Sequence, residues 1–284
     1  MSAAPATSYT GPHPRADRPV RSAGFGHYML AEWTKIRSVR STAWTLILFV
    51  VITIGFSALI SWVTVANWNG PHAAARDARA LTDPTSIIFG AAIYLGQLTI
   101  CVLGALLITT EYSTGTIRAS LLAVPKRLPM FLAKIAVFAL LMVVLAEIVA
   151  FGSFFVGSVI LHSKVSVSLS DTGVLRATVG AGLYLTVFGL LAMAIGALVR
   201  HTAGAISIAI GIAFVLPILA GLLPDTTFFN HLNGYLPEQA GSEVYLVRPT
   251  QIPVLTAWEG FGVLCIWTVV LLILGAYFLD RRDA

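Results

Sequence analysis

Charge is scarce in this sequence. Only 11% of the 284 residues are Asp, Glu, Lys or Arg, against 57% hydrophobic, and the mean hydropathy is +0.85. A soluble domain carries about 25% charged residues, so this chain cannot coat a water-exposed globule. Its hydrophobicity equally excludes disorder for the bulk of its length. Cysteine is almost missing: Cys101 and Cys265 both lie in apolar runs, which excludes a disulfide framework and a CxxC metal site. No HExxH, GxSxG or GxxxxGK[ST] pattern occurs, so the sequence offers no sign of zinc-peptidase, hydrolase or phosphate-loop chemistry. The histidines (His13, His27, His72, His162, His201 and His231) all fall outside the apolar runs, and no two carboxylates share one. What remains is a membrane protein with little prospect of catalysis.

Six apolar runs are present: 44–65, 87–109, 135–161, 177–199, 204–223 and 260–279. Each reaches the roughly 20 residues that a helix needs to cross a bilayer. None alternates with period two, as a strand of a membrane barrel would. The reading is an all-α membrane protein with six transmembrane helices. Runs four and five are separated only by residues 200–203, which predicts a tight helical hairpin. With the N-terminus inside, 13 of the 18 Lys and Arg fall on the inner side and 5 on the outer, which predicts cytoplasmic N- and C-termini. Residues 1–24 are rich in Pro, Ser, Ala and Arg and lack the apolar core of a cleavable signal. They read as a disordered cytoplasmic tail, followed by a six-helix domain over 25–284.

The segments between the runs carry their own signals. In 25–41, Phe25, Met29, Ile36 and Val39 fall on one helical stripe, with Tyr28 and Trp33 at its edges and Lys35, Arg37 and Arg40 flanking it. That pattern predicts an amphipathic helix at the membrane interface. Glu32 falls within the stripe, where a lipid-facing helix would avoid it, so it is expected to meet a cation on a partner or a neighbouring span. Within 110–130, Gly115 suits a turn, Thr116 can cap a helix over 117–124, and Pro125 ends it. A plain connection needs only a few residues, so this loop reads either as an amphipathic rest on lipid or as a docking helix for a cytosolic partner. Residues 224–253 combine four prolines with Phe228, Phe229, Tyr235 and Tyr245. They read as a surface loop or as short half-inserted helices.

One carboxylate lies deep in a run. A charge at the bilayer centre costs roughly 2.5–3.5 kcal/mol on insertion scales, so Glu147 should face the bundle interior. Three roles are open to it: a hydrogen bond to a neighbouring helix, for which Gln97 and Thr99 are candidates, the lining or gating of a pathway, or a proton relay. Glu259, beside Trp258, reads as an interfacial anchor or as the end of a kinked or re-entrant helix. The pairs Ser153/Gly157, Ala192/Gly196 and Ser207/Gly211 predict close helix approach, and Pro217 predicts a kink.

Three segments carry a resemblance: EWTKIRS (32–38), EYSTGTIR (111–118) and YLPEQAG (235–241). Together with six spans, they resemble the permease subunits of type-2 ABC exporters, particularly the bacterial kind encoded apart from the ATPase, over roughly residues 25–280. The resemblance implies that two permease subunits, as a homo- or heterodimer, form a pathway through the bacterial plasma membrane. Two copies of a separate ATP-binding subunit would dock beneath and carry the ATP and Mg, with no cofactor, metal or nucleic acid bound by this chain. It also implies roles: Glu32, Trp33, Lys35 and Arg37 in a connecting helix, and Glu111, Gly115, Thr116, Ile117 and Arg118 in a coupling helix. Tyr235, Pro237 and Gly241, with Glu259 beyond them, would belong to an external re-entrant segment. The competing readings are an ATP-independent secondary transporter or channel that uses Glu147 for ion coupling, a membrane enzyme, and a non-transporting assembly factor.

Overall fold

The computed structural model describes residues 24–71, 73–113, 127–224, 226–247 and 254–281. All regular structure among them is helical. A first helix, α1 (Phe25–Ser38), ends at Val39, whose extended backbone separates it from α2 (Arg40–Ala66). The short α3 (Ala74–Thr82) precedes α4 (Pro84–Ser113). Then come α5 (Arg127–Leu161), α6 (Val174–Val199) and α7 (Thr202–Ile210), which runs through a π-helical turn (Gly211–Val215) into α8 (Leu216–Gly221). Two short helices, α9 (Thr227–Gly234) and α10 (Pro237–Ser242), and a 3-10 turn (Glu243–Tyr245) lead towards the last helix, α11 (Ala257–Arg281).

Six stretches are long and apolar enough to cross a membrane: Arg40–Ala66, Pro84–Ser113, Leu128–Leu161, Val174–Val199, Thr202–Gly221 and Ala257–Leu279. Hydrocarbon offers the backbone no hydrogen bonds, and a helix satisfies its own. The ends are set locally. Asp83 precedes Pro84, which suits the first turn of a helix because it has no N–H to lose. The Asp83 carboxylate accepts from Ser86 N at 3.2 Å and from the Thr85 hydroxyl at 2.5 Å. Helix α5 begins at Arg127, earlier than its apolar run, because Pro129 lies in a first turn that tolerates it. The expected hairpin between α6 and α7 turns on Arg200, a non-glycine residue with φ +58°. Its guanidinium holds it there, donating to the Phe278 carbonyl at 2.7 Å and lying 5.1 Å from the centre of the Tyr112 ring.

The bundle is centred on α4 and α6, whose apolar stretches are 61% and 72% buried, against 17–33% for the other four. No hydrophobic drive separates helix from lipid tails, so helices associate in a membrane by close packing and polar contacts. Glycines supply the closeness. A Cβ at Gly104 would collide with the Gly189 carbonyl, and one at Gly196 would stand 3.0 Å from the Ala105 carbonyl. Helix α2 enters through a polar seam, Thr53, Ser57, Ser61 and Thr64, all buried. The Ser57 hydroxyl donates to the Ser153 carbonyl at 3.0 Å, and a Cβ at Gly157 would stand 3.1 Å from Ser61 Oγ. Two of the three small-residue pairs therefore sit at helix contacts. The pair Ser207/Gly211 does not: Ser207 is exposed, and a Cβ at Gly211 would meet nothing within 4 Å. Near Pro217 the helix widens into a π turn just upstream, where the missing N–H and the bulk of the ring disturb the ladder.

Candidate functional site

Four charges meet where α1 crosses the end of the bundle. Glu32 and Lys35 lie one turn apart on α1, Glu111 in the last turn of α4, and Lys134 in the second turn of α5. Lys134 Nζ reaches Glu32 Oε2 at 2.5 Å and Glu111 Oε1 at 2.8 Å. Lys35 Nζ reaches Glu32 Oε1 at 2.8 Å and Glu111 Oε1 at 3.1 Å. The ring is neutral, two cations alternating with two carboxylates, which is what allows it to be buried. Burial pulls the Lys35 ammonium towards neutrality, but its hydrogen bond to Glu32 and the charge of Glu111 outweigh this and hold its pKa above the usual value.

The sequence signal at Glu32 was sound: the cation it meets is Lys134 on the neighbouring α5. Lys134 itself escaped notice as a partner, because a lysine at the start of a span reads as an ordinary topological charge. The face that α1 turns to the bundle overlaps the predicted stripe in part. It carries Tyr28, Met29, Glu32, Lys35 and Ile36, with Glu32 and Ile36 buried. Phe25, Val39 and Trp33 are exposed, as is Arg37. The predicted stripe is thus split: Met29, Glu32 and Ile36 turn to the bundle, whereas Phe25 and Val39 do not. Gly115, Thr116, Ile117 and Arg118, together with the short helix expected over 117–124, lie outside the described residues.

The opposite end of the bundle is closed by α10 and the 3-10 turn. Glycines bring them against two spans. A Cβ at Gly260 would collide with the Ala240 carbonyl, one at Gly180 would lie 2.5 Å from the Val244 carbonyl, and one at Gly241 would lie 2.7 Å from Leu264. Arg176, at the start of α6, donates to the carbonyls of Glu243 (3.3 Å), Val244 (3.0 Å) and Leu246 (2.8 Å). Pro237 and Gly241 are buried in this cap; Tyr235 is exposed, its carbonyl accepting from Trp267 Nε1 at 3.1 Å. Glu259 is exposed and caps α11, accepting from Thr256 N at 2.9 Å.

The sequence reading passed over the most buried carboxylate of this segment. Glu238 is 1% exposed and accepts from the Tyr94 hydroxyl at 2.9 Å, while its other oxygen has no hydrogen-bond partner among the described residues. Burial pushes its carboxyl up to about 7, against the pull of the Tyr94 hydroxyl. Beside it, Tyr184 donates to Gln97 Oε1 at 2.9 Å and stands edge-on to Tyr245, ring centres 5.1 Å apart. Tyr94 and Glu111 lie on the same helix, on the order of 25 Å apart along its axis.

Glu147 lies roughly 20 Å from Lys134 along α5. It packs against Gly182, where a Cβ would stand 2.5 Å from its carboxyl carbon. The expected hydrogen bond with Gln97 or Thr99 is not made. Gln97 gives its oxygen to Tyr184 and leaves its nitrogen without a partner among the described residues, and the Thr99 hydroxyl donates to Leu95. Glu147 Oε2 likewise has no partner among the described residues. The close approach of α6 at Gly182 is what receives this side chain.

Among known proteins, residues 28–229 match a family model described as ABC-2 family transporter protein. The match takes in the four-charge ring and most of the bundle, and stops before Tyr235–Gly241 and α11. No curated protein matches the chain.

Proposed function

The chain belongs to the ABC-2 family of transporter proteins, and on that premise we propose that it is the permease subunit of an ATP-driven exporter. Family membership implies an ATP-binding partner. Two copies of a separate ATPase dock under a dimer of permeases, at the end that carries α1, and both termini face the cytoplasm of a bacterial plasma membrane. The observation that carries this reading is the ring of Glu32, Lys35, Glu111 and Lys134. It ties α1 to the last turn of α4, from which residues 114–126 depart, and to α5, on which they return. A push on that loop reaches three helices at once. Closure of the ATPases on ATP moves the loop, and the spans reopen towards the outside.

The test is purification of the tagged chain from its native membrane in mild detergent, with mass spectrometry of what accompanies it. A stoichiometric ATP-binding subunit is expected, and it should be lost when Glu111 and Arg118 are both reversed in charge. A folded permease that comes down alone would sink the reading. Gly115→Pro should uncouple transport while leaving insertion intact.

A second reading draws on Glu147, whose unpartnered oxygen in the Gly182 groove suits an ion-coupled carrier that needs no ATPase. Uptake into proteoliposomes free of any ATPase, driven by a proton gradient and abolished by Glu147→Gln, would select it.

A further inference from the structure

A cavity of about 620 Å³ opens beside the four-charge ring, between α1, the start of α2 and the ring end of α4. Its size falls within the range of small-ligand pockets. One wall is apolar: Leu103, Leu106 and Leu107 of α4. The other is polar and is formed by the ring, Ser41 and Thr42. The ring does not present its charges evenly. The Lys35 side chain is 43% exposed, whereas Glu32, Glu111 and Lys134 are 3%, 13% and 5% exposed. Lys35 is thus the most exposed charge of the cavity wall, which it shares with the less exposed Glu32, Glu111 and Lys134. The first turn of α2 points the same way, since Val39 gives it no side-chain cap and its N–H groups favour negative charge. On its outer side α1 exposes Phe25, Leu30 and Trp33, the profile of a helix bedded in the lipid boundary. An amphipathic cavity beside such a helix suits a chain on the leucines and an anionic head at Lys35.

We propose that this cavity binds one anionic phospholipid of the surrounding leaflet, its acyl chain on Leu103, Leu106 and Leu107 and its phosphate at Lys35. The site does not depend on the ATPase assignment, since it is complete within one chain. Occupied, it would wedge α2 from α4 at the ring and couple the docking of α1 to the charge of the membrane.

The full chain, in phosphatidylcholine nanodiscs, is exposed to phosphatidylglycerol or phosphatidylcholine bearing a photoactivatable group in mid-chain, and the labelled peptides are sequenced. Labelling of residues 103–107 should be at least about fivefold stronger with the anionic probe, a preference worth about 1 kcal/mol. Leu106→Trp, which fills the cavity, should cut this labelling about fivefold and leave labelling of α11 unchanged. Lys35→Gln should bring the anionic probe down to the level of the neutral one, and Lys35→Arg should restore the difference. Equal labelling by both probes, or undiminished labelling in Leu106→Trp, overturns the proposal. So does labelling by photoactivatable dodecyl phosphate with none by phosphatidylglycerol, which would make the ligand a free amphiphile rather than a membrane lipid.

Discussion

Lys134→Met is the most informative single change, because the ring makes its cost calculable. Lys134 is the buried cation of the ring, and its removal leaves Glu32 and Glu111 with Lys35, itself 43% exposed, as the one remaining cation of the ring. Breaking a buried ion pair by deleting one partner costs about 3–5 kcal/mol. The surviving lysine keeps the figure near the low end, about 3 kcal/mol. Only Glu32 and Ile36 are buried on α1, so the loss falls on the docking of that helix rather than on the bundle. Amide hydrogen exchange of residues 28–38 is therefore the assay, and 3 kcal/mol corresponds to roughly a hundredfold faster exchange. Lys35→Met removes the more exposed cation; exposed pairs contribute under about 1 kcal/mol, so exchange should quicken less than about fivefold. Replacing Glu32, Glu111 and Lys134 together by Leu, Met and Met removes the buried charge altogether and should restore most of the protection. Equal effects of the two lysine variants, or unchanged exchange in Lys134→Met, would refute the reasoning.

Other outcomes follow from the far end of the bundle. The folded pKa of Glu238, about 7, lies above the carboxyl's ordinary 4.5, so its contribution to stability is full below pH 4.5 and is lost as the pH rises through 7. Exchange of residues 237–245, corrected for intrinsic rate, should quicken between pH 5 and 8 in the native chain and stay level in Glu238→Gln. Arg176→Met leaves the Glu243, Val244 and Leu246 carbonyls without their donor. Unmade bonds of this kind cost about 1–3 kcal/mol, read as faster exchange at 243–247 with α4 unaffected. Gly260→Val forces a side chain onto the Ala240 carbonyl, and overpacking costs about 1–3 kcal/mol. The Tm, followed by tryptophan fluorescence, should fall by several degrees, at about 2–4 °C per kcal/mol. Gly262→Val on the same helix, where a Cβ meets nothing within 4 Å, should leave it unchanged.

The six spans were legible because a bilayer imposes a length and an apolarity that no other fold demands together. Their ends were less so. Helix α5 starts at Arg127 rather than with its apolar run at 135, since polar residues and a proline are tolerated in a first turn outside hydrocarbon. Glu32 betrayed itself by lying in an apolar stripe. Lys134 did not, because pairing across 102 residues leaves no local trace. Periodicity found Met29, Glu32 and Ile36 of the docked face but not that Phe25 and Val39 stay exposed, for a helix at an interface has two faces turned from water and only one of them docks. Glu238 was hidden for a different reason. It sits in a short polar segment between prolines, and its burial comes from glycines on α6 and α11 that each look unremarkable alone.

Helix α4 carries Glu111 in its last turn and Tyr94 about a third of the way from its start. Its hydrogen bonds run along its axis, which makes it stiff along its length. Mechanically it is a push-rod with one fitting at its tip and another on its shaft, and the two fittings obey opposite rules. At the ring, four charges hold over a range of distances, since Coulomb attraction fades slowly. At the cap, a single hydroxyl holds Glu238 at 2.9 Å, and such a bond is gone once the gap passes about 3.6 Å. A slide of less than 1 Å thus leaves the near joint closed and releases the far one. A short stroke of this one helix, with no large motion at the α1 end, is enough to break the Tyr94–Glu238 bond.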